Sequence, residues 1–236
     1  DDTPVTMNPK SLLIANRGEI AIRVARAAAE LGMRTVAVFS EDDARSLHTQ
    51  KADEAHPLRG AGAAAYLDAE QLVAVARRAG CDAIHPGYGF LSENAAFARR
   101  CAEEGIQFAG PRVETLELFG DKLQTRALAE RCGVPALPGT SSPTSLDEAQ
   151  RFLSSLGDGD SMMIKAVAGG GGRGMRVVRH PDEVEQAYLR CQSEAQAAFG
   201  ISDVYVEQLL PRARHLEVQV IGDGSGAVSH LWEREC

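Results

Sequence analysis

The residues with the clearest chemical meaning lie in the run Gly169-Gly170-Gly171-Gly172-Arg173-Gly174, with Lys165 just upstream. Consecutive glycines give up side-chain packing, and each loses more backbone entropy on ordering than Ala does, by about 0.5–1 kcal/mol. A chain accepts this where backbone N–H groups must approach a ligand closely. Polyphosphate is the usual such ligand, because successive N–H groups form an anion-binding nest. Lys165 and Arg173 bracket the run with positive charge. The competing reading is a plain flexible loop. Flexible Gly linkers carry Ser and lack flanking strands, whereas strand-like runs flank this one on both sides. No Gly-Lys-Ser/Thr follows, which excludes a P-loop. The pattern points to a nucleotide such as ATP, with the glycines over its phosphates.

Three further segments carry polar residues at positions suited to a site. Ile14-Ala15-Asn16-Arg17-Gly18-Glu19-Ile20 reads as strand, turn and helix. A dinucleotide-binding turn would hold three spaced glycines there; only Gly18 is present, and Arg17 and Glu19 would crowd a pyrophosphate. A structural turn is the better reading. His85-Pro86-Gly87-Tyr88-Gly89-Phe90-Leu91-Ser92-Glu93-Asn94 follows a strand, where ligands gather in open α/β sheets. Site and scaffold readings stand level for it, and Ser92 is placed to cap the next helix. Glu207-Gln208-Leu209-Leu210, followed by Arg212, Arg214 and His215, reads as a strand turning into a basic loop. That suits a nucleotide pocket, although in isolation a solvated charge cluster is the better reading.

The elements that must position these residues change character near residue 120. Before it, strands at 11–15, 35–40, 82–85 and 106–109 alternate with helices at 18–31, 67–79 and 93–104, which predicts a parallel sheet with helices on both faces. After it come helices at 113–119 and 121–132, and a capping box at Ser145-Leu146-Asp147-Glu148. A hairpin of strands 162–167 and 175–178 carries the glycine run at its tip. A helix at 181–199 and strands at 204–210, 216–221 and 227–235 complete the pattern. Leu216, Val218 and Val220 alternate with Glu217 and Gln219, as in antiparallel sheet with one wetter face. The fold class is α/β. Residues 1–9 are read as a disordered lead-in, 10–120 as a Rossmann-like domain, and 121–236 as a second, α+β domain.

Composition removes several function classes. The 236 residues carry a net charge of −8, which argues against a nucleic-acid binder. Five cysteines are scattered without CxxC or zinc spacing, so reduced thiols in a cytoplasmic protein are expected. No signal peptide or membrane span is visible, and no metal ligand is assigned within the chain.

Taken together and in order, the segments resemble the biotin carboxylase family, a branch of the ATP-grasp ligases. The matching stretches are Ile14 to Ala21, His85 to Asn94, Gly120-Asp121-Lys122, Ile164-Lys165-Ala166 with Gly169 to Met175, Arg214 to Gln219, and Glu233-Arg234-Glu235-Cys236. The resemblance covers essentially the whole chain. It implies a Rossmann-like N-terminal domain, then an ATP-grasp domain whose glycine-rich segment is a lid. It also implies ATP-dependent carboxylation of biotin on a carrier protein, with bicarbonate and Mg²⁺ (or Mn²⁺), through carboxyphosphate. Lys122 and Lys165 match the phosphate-contacting lysines, Gly171 and Gly172 the lid contacts, and Glu207, Gln208, Leu209 and Leu210 the adenine hinge. His215 matches a nucleotide-contacting histidine. Arg17, Arg23, Arg26 and Glu30 lie on a helix that in the family helps form a homodimer. A carrier protein or domain and a carboxyltransferase component are the implied partners.

Two departures stand out: Ala168 stands where some members of the family have another lid glycine, and Gln208 where many have a Lys or Arg beside the hinge; its amide can still contact an adenine edge without charge. The family continues into a bicarbonate site, acidic metal ligands and a catalytic arginine beyond Cys236. The chain is therefore expected to be an ATP-grasp fragment truncated at its C-terminal end and unable to turn over alone. Another ATP-grasp ligase such as a carbamoyl phosphate synthetase, or a non-catalytic nucleotide-binding module, are the alternatives. An NAD-dependent oxidoreductase fails on the missing glycine fingerprint.

Overall fold

The computed structural model describes residues 8–157, 159–167 and 174–236. The lid residues Gly169, Gly170, Gly171, Gly172 and Arg173 therefore lie outside the described residues. The chain divides into two compact units, Asp1–Gly120 and Asp121–Cys236.

In the first unit β1 (Ser11–Ile14), β2 (Arg34–Phe39), β3 (Glu54–Pro57), β4 (Ala83–His85) and β5 (Gln107–Phe108) form one parallel sheet in the order β3-β2-β1-β4-β5. Helix α1 (Gly18–Glu30) joins β1 to β2; α2 (Gly62–Ala65) and α3 (Ala69–Arg78) lead to β4; α4 (Ala95–Glu103) leads to β5; α5 (Val113–Gly120) ends the unit. β1 is buried on both faces, so its side chains split by parity. Leu12 and Ile14 pack with Ala21, Val24, Ala25 and Ala28 of α1. Leu13 and Ala15 pack on the opposite face with Leu72, Val73, Val75 and Ala76 of α3 and Phe97 and Cys101 of α4. Helices thus cover both faces, as the alternation predicts.

Two expectations need correction. Sequence patterning gives four strands here, and the described residues form five. The extra strand, Glu54-Ala55-His56-Pro57, is too polar to read as one; it lies at the sheet edge, where a proline without an N–H is tolerated. The cap of α4 is Asn94, whose side chain accepts from the Phe97 N–H at 2.8 Å, and not Ser92. Ser92 stands two residues too early and belongs to the preceding turn, its N–H donating to Gly89 O.

The second unit holds α6 (Lys122–Arg131), α7 (Leu146–Ser155), β6 (Ser161–Ala166), β7 (Met175–Val178), α8 (Val184–Phe199), β8 (Val204–Leu209), β9 (Leu216–Gly222) and β10 (Val228–Glu235). The Ser145–Glu148 capping box is present at the start of α7. Strands β7, β6 and β8 make an antiparallel sheet in that order, and β9 and β10 a separate two-stranded ribbon. Met162 and Ile164 of β6, Val178 of β7 and Val204 and Val206 of β8 form one face. They pack with Ala149 and Leu153 of α7 and Val184, Tyr188 and Cys191 of α8. That apolar layer fixes the strand register, and with it the residues on the opposite face.

Candidate functional site

Because side chains alternate along a strand, burying Met162, Ile164, Val204 and Val206 sends Met163, Lys165, Tyr205 and Glu207 to the other side of the sheet. β6 and β8 are antiparallel with Lys165 opposite Tyr205 and Met163 opposite Glu207. Lys165 and Glu207 are diagonal neighbours, and their side chains form an ion pair. Lys122 of helix α6 lies within electrostatic reach of both groups. Asp121 caps that helix by accepting from the Leu123 and Gln124 N–H groups at 2.9 and 3.1 Å, which fixes Lys122 as its first residue. Burial holds the Lys122 ammonium below the ordinary lysine range; the Lys165 charge pushes the same way, and the Glu207 carboxylate opposes it. Tyr205 is buried in the same layer, and its hydroxyl is pushed up to about 12.

The far edge of β8 is closed by the segment at 137–140. Gly139 bridges to Glu207, the Gln208 N–H donates to Pro138 O at 2.8 Å, and the Thr140 N–H to Val206 O at 2.9 Å. A Cβ on Gly139 would stand 2.8 Å from Val206 O, so the close pairing requires glycine. Arg126 of α6 anchors the segment by donating to Leu137 O. The Pro138–Thr140 strand pairing and Arg126 were not legible in the sequence; a Gly between Pro and Thr after a helix is the one signal that could have marked a close backbone approach.

The remaining sequence-predicted residues are placed as follows. The Gln208 side chain donates to Asp160 at 3.0 Å, so its amide is engaged at the sheet rim. Leu209 ends β8, and Leu210 is exposed just beyond it. His215 precedes β9, its carbonyl accepting from the Cys236 N–H at 2.9 Å. Gly174 is buried at φ +66 beside Ala166, and its carbonyl accepts from the Ala166 N–H at 2.8 Å, closing the hairpin below the lid. The structure thus gathers Lys122, Lys165 and Glu207, with Gln208–Leu210 continuing the same strand.

The first unit has a polar cleft of about 420 Å³ where β1 and β4 lie side by side while their helices diverge, the usual ligand position in such sheets. Asn16, buried, donates to Pro86 O at 2.7 Å and Tyr88 O at 2.9 Å and accepts from the Arg17 N–H at 2.8 Å. It clamps the two loops together. Gly87, at φ +68, passes so close that a Cβ would meet Asn16 Nδ2 at 2.6 Å. Arg17 makes a two-pronged contact with Asp43, at 2.6 and 2.8 Å. Asp43 also accepts from Tyr66 and Ser46, each at 2.8 Å. Burial alone would push the Asp43 carboxyl up; the hydrogen bonds from Ser46, Tyr66 and Arg17 and the Arg17 charge outweigh it and hold it below the usual range. Phe90, at φ +41, stacks on Tyr66 with centroids 5.3 Å apart. Tyr88 is exposed and donates to Glu19. The cleft is therefore lined by Arg17, held by Asp43, and by Glu19 where a dinucleotide fold would present glycines to pyrophosphate. Sequence reasoning marked Arg17 as an obstacle but missed Asp43 and Tyr66, since their partners are fixed only by the sheet order. His85 ends β4, and burial lowers its imidazole pKa. Arg23, Arg26 and Glu30 are exposed on α1.

Comparison with known proteins now bears on this geometry. Residues 8–116 match the family model described as biotin carboxylase, N-terminal domain, and residues 121–236 that of carbamoyl-phosphate synthase L chain, ATP binding domain. The chain belongs to the biotin carboxylase family. It is 54% identical over 231 residues to pyruvate carboxylase of Bacillus subtilis, covering 96% of this chain and 20% of that protein. It is 51% identical to the mitochondrial pyruvate carboxylase of Homo sapiens, covering 96% of this chain and 19% of that one. Among solved structures, a biotin carboxylase complex with β-γ-ATP from Campylobacter jejuni superposes with a TM-score of 0.92 at 43% identity, over 97% of this chain and 51% of that chain. The biotin carboxylase domain dimer of the 2-oxoglutarate carboxylase of Hydrogenobacter thermophilus, in complex with MgADP, ADP and bicarbonate, gives 0.90 at 44% identity, over 97% and 50%. This biotin carboxylase segment thus spans about a fifth of the length of the curated relatives it matches, and about half of those solved chains. Among the described residues no helix is long and apolar enough to cross a membrane.

Proposed function

We propose that this chain supplies the N-terminal domain and the nucleotide-binding face of a biotin carboxylase, which uses ATP and bicarbonate to carboxylate biotin on a carrier protein. The observation that carries the reading is the convergence of Lys122 and Lys165, from a helix and a strand of the same unit, beside Glu207. Two ammonium groups in a partly buried, low-dielectric setting suit a polyphosphate, because charge stabilisation is stronger there than in open water. The lid residues Gly171 and Gly172 would lie over the phosphates, Glu207 to Leu210 would border the adenine, and His215 would contact the nucleotide. The chain's own part in the reaction is to hold ATP in place and neutralise charge as its terminal phosphoryl group moves to bicarbonate.

A nucleotide fits this face. Magnesium is a different case: no group of three or more His, Cys, Asp or Glu side chains gathers as a metal site among the described residues, so no step is routed through a protein-held metal here. The carrier protein and the carboxyltransferase are proposed as partners on the strength of the family. The exposed Arg23, Arg26 and Glu30 of α1 are proposed as part of a homodimer face, in line with the dimer named for the 2-oxoglutarate carboxylase domain. Free, buried Cys81, Cys101 and Cys191 suit a reducing compartment such as the cytoplasm.

Titration with ATP and Mg²⁺, followed by calorimetry, tests the site. Lys122→Ala and Lys165→Ala are each expected to weaken binding at least about tenfold, as expected for loss of a charge-assisted contact. Equal binding by the parent and both variants removes the proposal.

A further inference from the structure

Arg126 is buried more deeply than its own hydrogen bonds explain. Its side chain is 12% exposed. Nη2 donates to Leu137 O. Nε is buried without a hydrogen bond; Glu130, one turn along the same helix, stands 3.5 Å from it and is half exposed. Keeping a guanidinium out of water with a donor to spare is costly. Helix α6 has no fully buried residue, so no apolar core draws the side chain inward. What it touches instead is the segment 137–140, which runs along β8 as a strap. The Gln208 N–H donates to Pro138 O at 2.8 Å, the Thr140 N–H to Val206 O at 2.9 Å, and the Val206 N–H to Thr140 Oγ1 at 3.1 Å. Further on, the Thr144 N–H donates to Val204 O at 2.8 Å.

At the middle of the strap, a Cβ on Gly139 would meet Val206 O at 2.8 Å and, at 3.0 Å each, Arg126 Nη1 and Glu207 Cβ. Guanidinium, strap and β8 therefore converge on one point with no room for a methyl group. The strap is gripped by β8 along one edge and by Arg126 at Leu137, where it begins. The β8 residues it pairs with, Val206 to Gln208, lead into the stretch proposed to border the adenine. Resting on the ATP site proposed above, we propose that Arg126 is a positioning residue for the nucleoside end of that site: by pinning the strap at Leu137 and Gly139 it sets the path of β8 from Val206 to Gln208, without touching the nucleotide. Loss of Arg126 frees the start of the strap and lets Glu207 and Gln208 shift. The effect falls on base and ribose, so ATP and adenosine weaken together.

The test is calorimetric titration of ATP, and of adenosine directly or in competition with ATP, into this chain and its Arg126→Met, Arg126→Lys and Gly139→Ala variants and the Arg126→Met, Gly139→Ala double variant. Melting temperatures are recorded alongside, and binding is measured where every variant is folded. Arg126→Met keeps the length of the side chain but removes its charge and donors. It is expected to weaken ATP and adenosine by the same factor, about tenfold, equivalent to about 1.4 kcal/mol. Gly139→Ala forces the strap away from Arg126 and Val206 and should do the same, with the double variant losing no more than either single one. Arg126→Lys keeps a charged donor for Leu137 O and should recover most of the affinity. A lower melting temperature with both affinities unchanged leaves Arg126 a structural residue only and overturns the proposal. So does weakening of ATP alone, which would mean that Arg126 serves the phosphates, and so do additive losses in the double variant. If the parent binds neither ligand, the site assignment fails and takes this role with it; if the parent binds both and Arg126→Met binds them as well, the role alone fails. Should Arg126→Met not fold, Gly139→Ala carries the test: weaker adenosine binding supports the strap, and unchanged binding refutes it.

Discussion

Asp43→Asn is the sharpest probe of how the first unit is held in shape. The carboxylate is buried, with 5% of its side chain exposed, while the Arg17 side chain is 42% exposed. Removing one partner of a fully buried pair costs about 3–5 kcal/mol. Water can reach Arg17, so the loss should fall below that range, at about 2–3 kcal/mol, including the weakened hydrogen bonds from Tyr66 and Ser46. For a unit of this size that corresponds to a fall in melting temperature of about 4 °C per kcal/mol. The pH dependence has a definite sign. The folded-state pKa of Asp43 is depressed, so its stabilising contribution is complete above the ordinary aspartate pKa of about 3.9 and is lost as pH falls through the folded value. The gap between parent and variant should be full at pH 7 and shrink towards pH 3. Urea unfolding followed by far-UV circular dichroism measures the gap, and hydrogen exchange across 16–19 and 86–90 locates it. A deficit under about 0.5 kcal/mol at pH 7, the range of an ordinary surface substitution, refutes the reasoning. So does an equal deficit at pH 7 and pH 3.

Other expectations follow from the same geometry. Asn16→Ala leaves the Pro86 and Tyr88 carbonyls without their donor and should cost about 1–3 kcal/mol in urea unfolding. Gly87→Ala combines a positive φ with a Cβ 2.6 Å from Asn16 Nδ2 and should cost at least as much; a neutral outcome would show that the two loops are not clamped. On the proposed ATP site, in which charged Lys122 contacts phosphate, ATP affinity should fall with rising pH at a lower pH than for an ordinary lysine, because Lys122 sits below the usual range; Lys122→Arg should carry affinity to higher pH in the same titration. In a thiol-reactivity assay the exposed Cys132 should react quickly, and the exposed Cys236 more slowly, because its hydrogen bond with Glu217 pushes its thiol up. Cys81, Cys101 and Cys191, buried and pushed up to about 11, 12 and 11, should wait for unfolding.

What the sequence made legible depended on how local each signal was. The β1–α1–β2 run could be read because Leu12 to Ala15 is continuously apolar and Ile20, Val24, Ala27, Ala28 and Leu31 recur at helical spacing, although the face that α1 buries is Ala21, Val24, Ala25 and Ala28, with Ala27 and Leu31 exposed. The β6–β7 hairpin was readable because strand-like runs at 162–167 and 175–178 flank the glycine segment. β3 was not, since Glu54-Ala55-His56-Pro57 becomes a strand only through its partner β2. The site divides in the same way. Lys122 and Lys165 lie 43 positions apart, and a motif resemblance brought them together before the structure did. The pairing of Lys165 with Glu207 follows from an antiparallel register that no short pattern records. Asp43 and Tyr66 complete the Arg17 network through contacts set by the sheet order rather than by any local spacing.

The two units also show how one general rule is used and then set aside. Parallel sheets of this order place ligands where neighbouring strands send their chains in opposite directions, and β1 and β4 create that position here. A dinucleotide fold leaves it open with glycines so that phosphate can approach the first helix. In this chain Asn16 cross-links the two loops and Arg17 is held by Asp43. Glu19, hydrogen-bonded to Tyr88, puts negative charge in the first turn of α1, which would repel a phosphate there. The residues that make the cleft rigid are the ones that exclude polyphosphate from it. The cationic side chains proposed to take polyphosphate lie instead in the second unit, where Lys165 stands on the open face of an antiparallel sheet and Lys122 of α6 is within its electrostatic reach. The fold alone points a nucleotide to the first unit, and it is the side chains that support the proposed site in the second.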